Sequence, residues 1–238
     1  MEIFRPRSDS EFGPYTALFV ALVLFIGLMP FVDESGIGAS FVRVGFIVVL
    51  IAGLGIARES RGVLGIALVL LAINVVVTWL ARYLTGDPLE AEALRTVFGS
   101  VYLIYLIVLL IRTLSRKREA SMDVVLGGIN VYLLVALAFM LMHITLEHMV
   151  PGSYQRAGVL LSDSATGVHA TLDTTMFYFS VSTLTTLGYG DISPVRPVAE
   201  FLCAAEAVIG QLYVAIFIGG LVALRINAKG TGDGAPSE

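Results

Sequence analysis

Six apolar stretches dominate this sequence and restrict the folds that are open to it. They cover residues 15–32, 41–57, 62–80, 96–111, 124–144 and 198–226. A helix that crosses a bilayer needs about 20 apolar residues, within a range of about 17–25. Only 14% of the 238 residues are charged, whereas soluble domains carry about 25%. The pattern therefore predicts an all-α membrane protein with six transmembrane helices.

The first apolar stretch also has some features of a secretory signal peptide. Arg5 and Arg7 precede it, and residues 37–39, Ile-Gly-Ala, loosely resemble a cleavage site. The stretch is long, however, and this site lies several residues beyond its end. A transmembrane helix is therefore the favoured interpretation.

The distribution of lysine and arginine predicts the orientation of the spans. With a cytoplasmic amino terminus, ten of the 15 basic residues lie inside: Arg5, Arg7, Arg58, Arg61, Arg112, Arg116, Lys117, Arg118, Arg225 and Lys229. The other five lie outside: Arg43, Arg82, Arg95, Arg156 and Arg196. Cytoplasmic loops carry an excess of basic residues. We therefore expect a multi-pass protein of the cell membrane, the inner membrane in a bacterium, with both termini in the cytoplasm.

The segment before the last apolar stretch is unsuited to a continuous membrane helix. Residues 172–184 are too few to span a bilayer and predict a re-entrant helix. Residues 185–191 then read Thr-Thr-Leu-Gly-Tyr-Gly-Asp. Non-helical backbone at membrane depth is tolerated only where it is buried in protein or lines a water-filled path. The backbone of residues 185–191 is therefore expected to have a function of its own outside a helix.

A row of backbone carbonyls aimed at one axis can replace the hydration shell of a cation. Aiming successive carbonyls the same way needs alternating handedness, and Gly188 and Gly190 can take positive φ without a Cβ penalty. The Thr186 hydroxyl is expected below its own carbonyl. Tyr189 is expected to point away from the axis with a polar tip that ties the loop down, and the negative charge of Asp191 to favour cations at the outer mouth.

Residues 185–191 resemble the signature filter of potassium channels, and residues 174–184 are similar to the pore helix of that family. Gly210 aligns with the hinge glycine of the inner helix, and the similar unit covers about residues 120–227. The resemblance implies K⁺ as the permeant ion, no cofactor and no nucleic-acid partner. Because one chain supplies one loop and the family's filter needs four, it also implies a homotetrameric pore. The implied K⁺ ligands are the carbonyls of Thr186, Leu187, Gly188 and Tyr189 and the Thr186 hydroxyl.

The same resemblance assigns a filter-supporting role to further residues: Tyr178, Phe179, Ser182, Thr183, Thr185, Gly190 and Asp191. Two positions depart from the family pattern. Leu187 replaces the more usual valine, and Ser182 stands where some relatives carry a glutamate that bonds the outer mouth. K⁺ selectivity is expected to survive because the carbonyl of Leu187 is the ligand. The alternative is a weakly selective cation channel.

The resemblance also organises the chain into segments. They are a cytoplasmic amino terminus (1–14), a four-helix module (15–111), a basic linker (112–123), a pore domain (124–226) and a flexible cytoplasmic tail (227–238). Within the pore domain we expect an outer helix (124–144), a turret (145–171), the pore helix (172–184), the filter (185–190) and the inner helix (198–226).

The layout is that of voltage-gated channels, but the fourth helix lacks their charges. Steep gating needs several arginines in that helix, and residues 96–111 contain none. Arg95 and Arg112 bracket the stretch and are interpreted as interface anchors. The module is therefore predicted to be a scaffold and not a working voltage sensor, with another sensory role as the alternative.

Two interpretations remain open for each of several polar or small residues near the pore. Glu206 either bonds the back of the pore helix, through a serine or threonine, or faces the cavity. Gln211 and Tyr213 either line the cavity or tie helices together. Gly219 and Gly220 either let the inner helix bend at a gate or allow close helix packing.

Charged and histidine residues outside the filter are weaker indicators. Arg116, Lys117 and Arg118 form a basic cluster that is either a contact for anionic lipid or a simple topology signal. His143, His148 and His169 are interpreted as ordinary turret residues, in preference to a proton switch or a metal site with Glu147 and Asp163.

Other classes of function remain as alternatives. A potassium transporter uses filter-like loops but typically carries four in one chain. A membrane sensor or scaffold with a non-conducting pore disagrees with the intact threonine, glycine and tyrosine positions. An enzyme is the least favoured class, since the sequence shows no nucleophile–base pair or phosphate loop. The single cysteine, Cys203, lies in an apolar stretch and cannot form an intrachain disulfide.

Overall fold

The computed structural model describes residues 13–31, 36–57, 61–86, 88–116, 122–163 and 168–230. In these ranges the chain forms seven α-helices and three short strands. The helices are α1 (Pro14–Leu28), α2 (Gly36–Ala57), α3 (Arg61–Thr85), α4 (Pro88–Leu114), α5 (Met122–Met149), α6 (Val168–Leu184) and α7 (Pro197–Gly230). The chain is therefore mostly helical, as its composition predicts.

Four of the described helices are long and apolar enough to cross a membrane. These segments are Arg61–Leu80, Glu90–Leu114, Met122–Met149 and Pro197–Gly220. Two shorter apolar helical segments, Tyr15–Leu28 and Val42–Ala57, correspond to the first two expected spans. Length and composition therefore support four of the six expected spans and leave the first two as a prediction.

Several helices extend beyond the apolar stretches that indicated them. The fourth begins at Pro88 instead of residue 96, and Glu90 lies in its first turn. Proline is favoured at a helix start, and acidic residues near an amino-terminal end interact favourably with the helix dipole. The inner helix likewise continues to Gly230, so residues 227–230 of the expected flexible tail are helical. Hydropathy marks the lipid-facing length of a helix and not its ends.

A small antiparallel sheet, which the expected all-α fold omitted, joins the turret to the residues after the filter. Its strands are β1 (Tyr154–Arg156), β2 (Val159–Leu160) and β3 (Ile192–Pro194), in the order β2-β1-β3. Ala157 and Gly158 join β1 to β2 with φ of 50° and 83°, the positive values that a tight hairpin turn needs. β1 also pairs with β3, which follows the filter. The all-α prediction omitted the β1–β3 pair because a long-range pairing leaves no local pattern, and it also missed the local β1–β2 hairpin.

The buried core is centred on α5, against which α1 and α4 pack. The Tyr102 hydroxyl of α4 donates to the Leu50 carbonyl of α2 at 2.8 Å, and the Asn130 amide of α5 donates to the Tyr15 carbonyl of α1 at 2.8 Å. α1 and α4 therefore pack directly on the outer helix of their own chain, and α2 and α3 are joined to it through α1 and α4. By contrast, α7 leaves large apolar side chains exposed, Phe201 and Ile216 among them.

Candidate functional site

The loop after α6 is anchored by carbonyls at the end of that helix. The backbone N–H groups of Leu187 and Gly188 both donate to the Ser182 carbonyl, at 2.9 and 3.2 Å. The N–H of Thr186 donates to the Thr183 carbonyl at 2.9 Å. These bonds turn the chain directly out of the helix. Ser182 and Thr183, expected as filter supports, therefore contact the loop through their backbone carbonyls.

Every second residue of the loop has a left-handed backbone. The φ angle is 58° at Thr186, 55° at Gly188 and 78° at Gly190. The positive φ expected at the two glycines is confirmed, and Thr186 extends the alternation to a residue with a side chain. Such alternation turns successive carbonyls in the same direction, which is the geometry that a row of cation ligands needs.

The side chain of Thr186 points at neighbouring polar groups. Its hydroxyl donates to the Thr185 carbonyl at 2.6 Å and lies 3.5 Å from the amide nitrogen of Gln211 on α7. The Thr185 hydroxyl donates to the Val181 carbonyl at 2.7 Å. The two threonines therefore hold the inner end of the loop against the end of α6, with Gln211 nearby.

The outer end of the loop is held on two sides. The Tyr178 hydroxyl on α6 donates to the Asp191 carboxylate at 3.1 Å, and the rings of Tyr178 and Tyr189 stack 6.2 Å apart. On the other side, the Asp191 carbonyl accepts a hydrogen bond from the N–H of Ala157 in the turret hairpin, at 3.1 Å. The small sheet therefore fixes the point at which the loop ends.

A buried polar cluster lies behind α6. His143 on α5 is fully buried, with Nδ1 2.6 Å from the Tyr154 hydroxyl and Nε2 2.8 Å from the Glu206 carboxylate. The other carboxylate oxygen of Glu206 contacts the Ser180 hydroxyl on α6. Phe179 packs edge-on against His143 and Tyr154. Glu206 therefore takes the first of its two interpretations, the bond to the pore helix.

The interpretation of the histidines as turret residues was wrong for His143. Its place inside the apolar stretch 124–144 was the available signal, because a polar side chain there needs a buried partner. His148 does lie in the last turn of α5, with Nδ1 2.9 Å from the Ile144 carbonyl. The side chain of His169 lies outside the described part of the chain, as do Lys117 and Arg118 of the basic cluster.

The inner helix contacts the pore helix at a glycine. A Cβ at Gly210 would lie 2.3 Å from the Leu184 carbonyl oxygen, whereas Gly219 and Gly220 have open space around them. Tyr213 ties helices together, since its hydroxyl donates to the Gly128 carbonyl of α5 at 2.7 Å. Gly210 is therefore a packing residue in this structure, and Gly219 and Gly220 pack closely against none of the described residues.

Arg95 is not the interface anchor that the sequence suggested. It is buried, and its guanidinium forms ion pairs with Glu92 at 3.0 Å and with Asp173 on α6 at 3.2 Å. Thr145 on α5 donates a further bond to Thr96 at 2.8 Å. The error arose because the pairing partner, Asp173, is distant in sequence. Arg95 instead joins the front module to the pore helix of the same chain.

We predict that replacing Arg95 with alanine destabilises the fold strongly. The change leaves the carboxylates of Glu92 and Asp173 without their cation, and breaking a buried ion pair in this way costs about 3–5 kcal/mol. The free energy of unfolding in detergent measures the effect. Arg112→Ala, at an exposed position near the other end of α4, is the matched control. Equal stability of the two variants would contradict the prediction.

Comparisons with known proteins support the resemblance of the filter region. Residues 156–225 match a family model described as an ion channel. The chain is 33% identical over 96 residues to two pore potassium channel c of Oryza sativa subsp. japonica. That alignment covers 40% of this chain and 19% of the relative, so the chain spans about a fifth of its length.

No solved structure matches the chain significantly. An ion channel domain together with long apolar helices makes this a membrane protein, and its matched family is one of channels and not of enzymes. The segment that contains the filter motif and most of the inner helix is therefore similar to ion channels, and the chain is similar to a potassium channel.

Proposed function

We propose that this protein is a K⁺-selective channel that conducts passively through a homotetrameric pore. The observation that carries the proposal is the alternation of positive φ at Thr186, Gly188 and Gly190 within a segment that matches an ion channel family model. The carbonyls of Thr186, Leu187, Gly188 and Tyr189 are the proposed K⁺ ligands. We further propose that the chain crosses the membrane six times, with both termini in the cytoplasm.

The exposed surfaces of the chain support the tetramer. Residues 185–191 are exposed, and α7 leaves one apolar face uncovered. Because one chain supplies one loop, four copies around an axis would surround the row of carbonyls and cover these faces. The outward-facing sides of α2 and α3 would then contact lipid. Lipid contact at Arg116, Lys117 and Arg118 is part of the same proposal.

The buried ion pairs support a channel without steep voltage gating. Among the described side chains of α4, Arg95 is the buried cation, and it is bound to Glu92 and Asp173. A gating charge must move through the field and gains about 2.3 kcal/mol per 100 mV. A cation held by two carboxylates, one of them on the pore helix, is not free to do so.

Planar-bilayer recording of the purified protein under opposed K⁺ and Na⁺ gradients tests the proposal. We expect a reversal potential near the K⁺ equilibrium value and an open probability that changes little with voltage. A reversal near zero would instead identify the second candidate, a weakly selective cation channel. Leu187 favours that candidate, because its bulky side chain is 57% exposed in the single chain and must be packed behind the assembled filter.

A further inference from the structure

The two hydrogen bonds of Ser180 bear on the protonation state of Glu206. The Ser180 hydroxyl oxygen lies 2.8 Å from the Ala136 carbonyl oxygen on α5 and also within bonding distance of Oε1 of Glu206. A hydroxyl has one hydrogen to donate, and a carbonyl has none. If Ser180 donates to Ala136, the hydrogen between Ser180 and Glu206 must come from the carboxyl group.

The hydrogen bonds that link Glu206 to His143 and Tyr154 agree with this direction of donation. Tyr154 is fully buried in the turret strand, and burial raises the pKa of its hydroxyl above the ordinary value. Tyr154 therefore keeps its proton and donates to Nδ1 of His143, 2.6 Å away. The ring is then neutral with its hydrogen on Nε2, which donates to Oε2 of Glu206 at 2.8 Å.

We propose that Glu206 is a neutral carboxylic acid that positions the pore helix through a chain of four hydrogen bonds. The chain runs from Tyr154 through His143, Glu206 and Ser180 to the Ala136 carbonyl. Every hydrogen in it has one acceptor. It joins the turret strand, α5, α7 and α6. The inference rests on the proposed channel function only for its consequence, which is control of the filter.

The surroundings of Glu206 favour the neutral form. The titratable groups near it are His143 and Tyr132 on α5, Tyr154 on β1 and Cys203 on α7, with Glu147 close to Tyr154. Among the described residues this set contains no lysine or arginine. An ionised carboxylate without a cation is costly in a dry interior. The competing arrangement transfers the proton to His143 and buries an ion pair, and it leaves the Ala136 carbonyl without the serine hydrogen.

The position of Ser180 explains how Glu206 acts on the filter. Ser180 lies two residues before Ser182, whose carbonyl accepts hydrogen bonds from the N–H groups of Leu187 and Gly188. The chain of hydrogen bonds therefore fixes the part of α6 that anchors the loop. Glu206 contacts no permeant ion in this account and is a positioning residue.

The variant Glu206→Gln tests the protonation state, because a glutamine amide can donate to Ser180 and accept from His143. We expect wild type to show the infrared carbonyl band of a protonated carboxyl, and Glu206→Gln to lose that band. Thermal stability of the assembled protein is expected to be unchanged in Glu206→Gln and lowered in Glu206→Ala. Glu200→Gln, an exposed carboxylate of the same helix, is the control and keeps the band.

A pH series adds a functional readout. We expect K⁺ flux through wild-type protein to fall reversibly as rising pH ionises Glu206, and flux through Glu206→Gln to persist. Absence of the band in wild type, or destabilisation of Glu206→Gln equal to that of Glu206→Ala, would overturn the inference. The infrared and stability measurements need no conduction. A silent protein that shows the band would therefore count against the proposed function and still support the neutral carboxyl.

Discussion

Replacing Gly210 with alanine is expected to displace the inner helix from the pore helix and to abolish K⁺ conduction. The added Cβ would lie 2.3 Å from the carbonyl oxygen of Leu184 and 2.8 Å from Cδ1 of the same residue. A side chain could rotate away, but the carbonyl belongs to the backbone at the end of α6. Overpacking of this kind costs about 1–3 kcal/mol, occasionally more. Because residues 185–190 follow Leu184 directly, the displacement is expected to reach the proposed K⁺ ligands.

Gly219→Ala is the matched control for this change. It lies on the same helix, and a Cβ there meets no atom of the described part of its subunit within 4 Å. Alanine is better than glycine in a helix interior by about 1 kcal/mol, so this variant is expected to be as stable as wild type or slightly more so. Thermal unfolding in detergent and K⁺ flux into liposomes measure both variants.

The same pair of variants separates packing from hinge bending at Gly210. If Gly210 served only as a hinge, Gly210→Ala would unfold at the wild-type temperature and change only the opening of the pore. That result would contradict the packing argument.

Replacing Gly188 with alanine is expected to remove K⁺ selectivity. Gly188 has φ of 55°, and apart from its two chain neighbours a Cβ there would meet none of the described residues within 4 Å. The substitution therefore acts through the backbone, where a left-handed conformation costs an L-residue roughly 1–2 kcal/mol. Relief of that strain rotates the peptide groups and turns carbonyls out of the proposed row. Reversal potentials under a K⁺/Na⁺ gradient measure the loss.

Gly86→Ala provides comparable backbone strain at a distance from the proposed ligands. Gly86 lies between α3 and α4 with φ of 69°, and a Cβ there would meet none of the described residues within 4 Å. We expect a similar loss of stability but an unchanged reversal potential. Identical reversal potentials for wild type, Gly86→Ala and Gly188→Ala would mean that the row of carbonyls does not select the ion.

The sequence predicted the features that rest on local chemistry. Positive φ at Gly188 and Gly190 followed from the absence of a Cβ, and the long helices followed from their apolar length. Thr186 was missed because a threonine gives no sign of a left-handed backbone, which here is held by the bond from its N–H to Thr183. Local preference therefore gave two of the three left-handed positions, and a specific hydrogen bond gave the third.

The errors concern residues whose partners are remote in the chain. Arg95 and Asp173 are 78 positions apart, and His143 and Glu206 are 63 apart. A charge beside an apolar stretch resembles an interface anchor until its counter-charge is known. The strands β1 and β3, which join the turret to the end of the filter, are likewise distant from each other in sequence. No pattern within one segment reports a contact that only the folded chain brings about.

The internal anchoring of the filter loop has a consequence for assembly. The bonds that hold its inner end and the turret contact at its outer end all lie within one chain. Fixing a residue's backbone costs about 1–2 kcal/mol of conformational entropy. For this loop that cost falls on the folding of each subunit. Association of the four proposed subunits then brings together loops that are already ordered, and it can be driven by the exposed apolar face of α7.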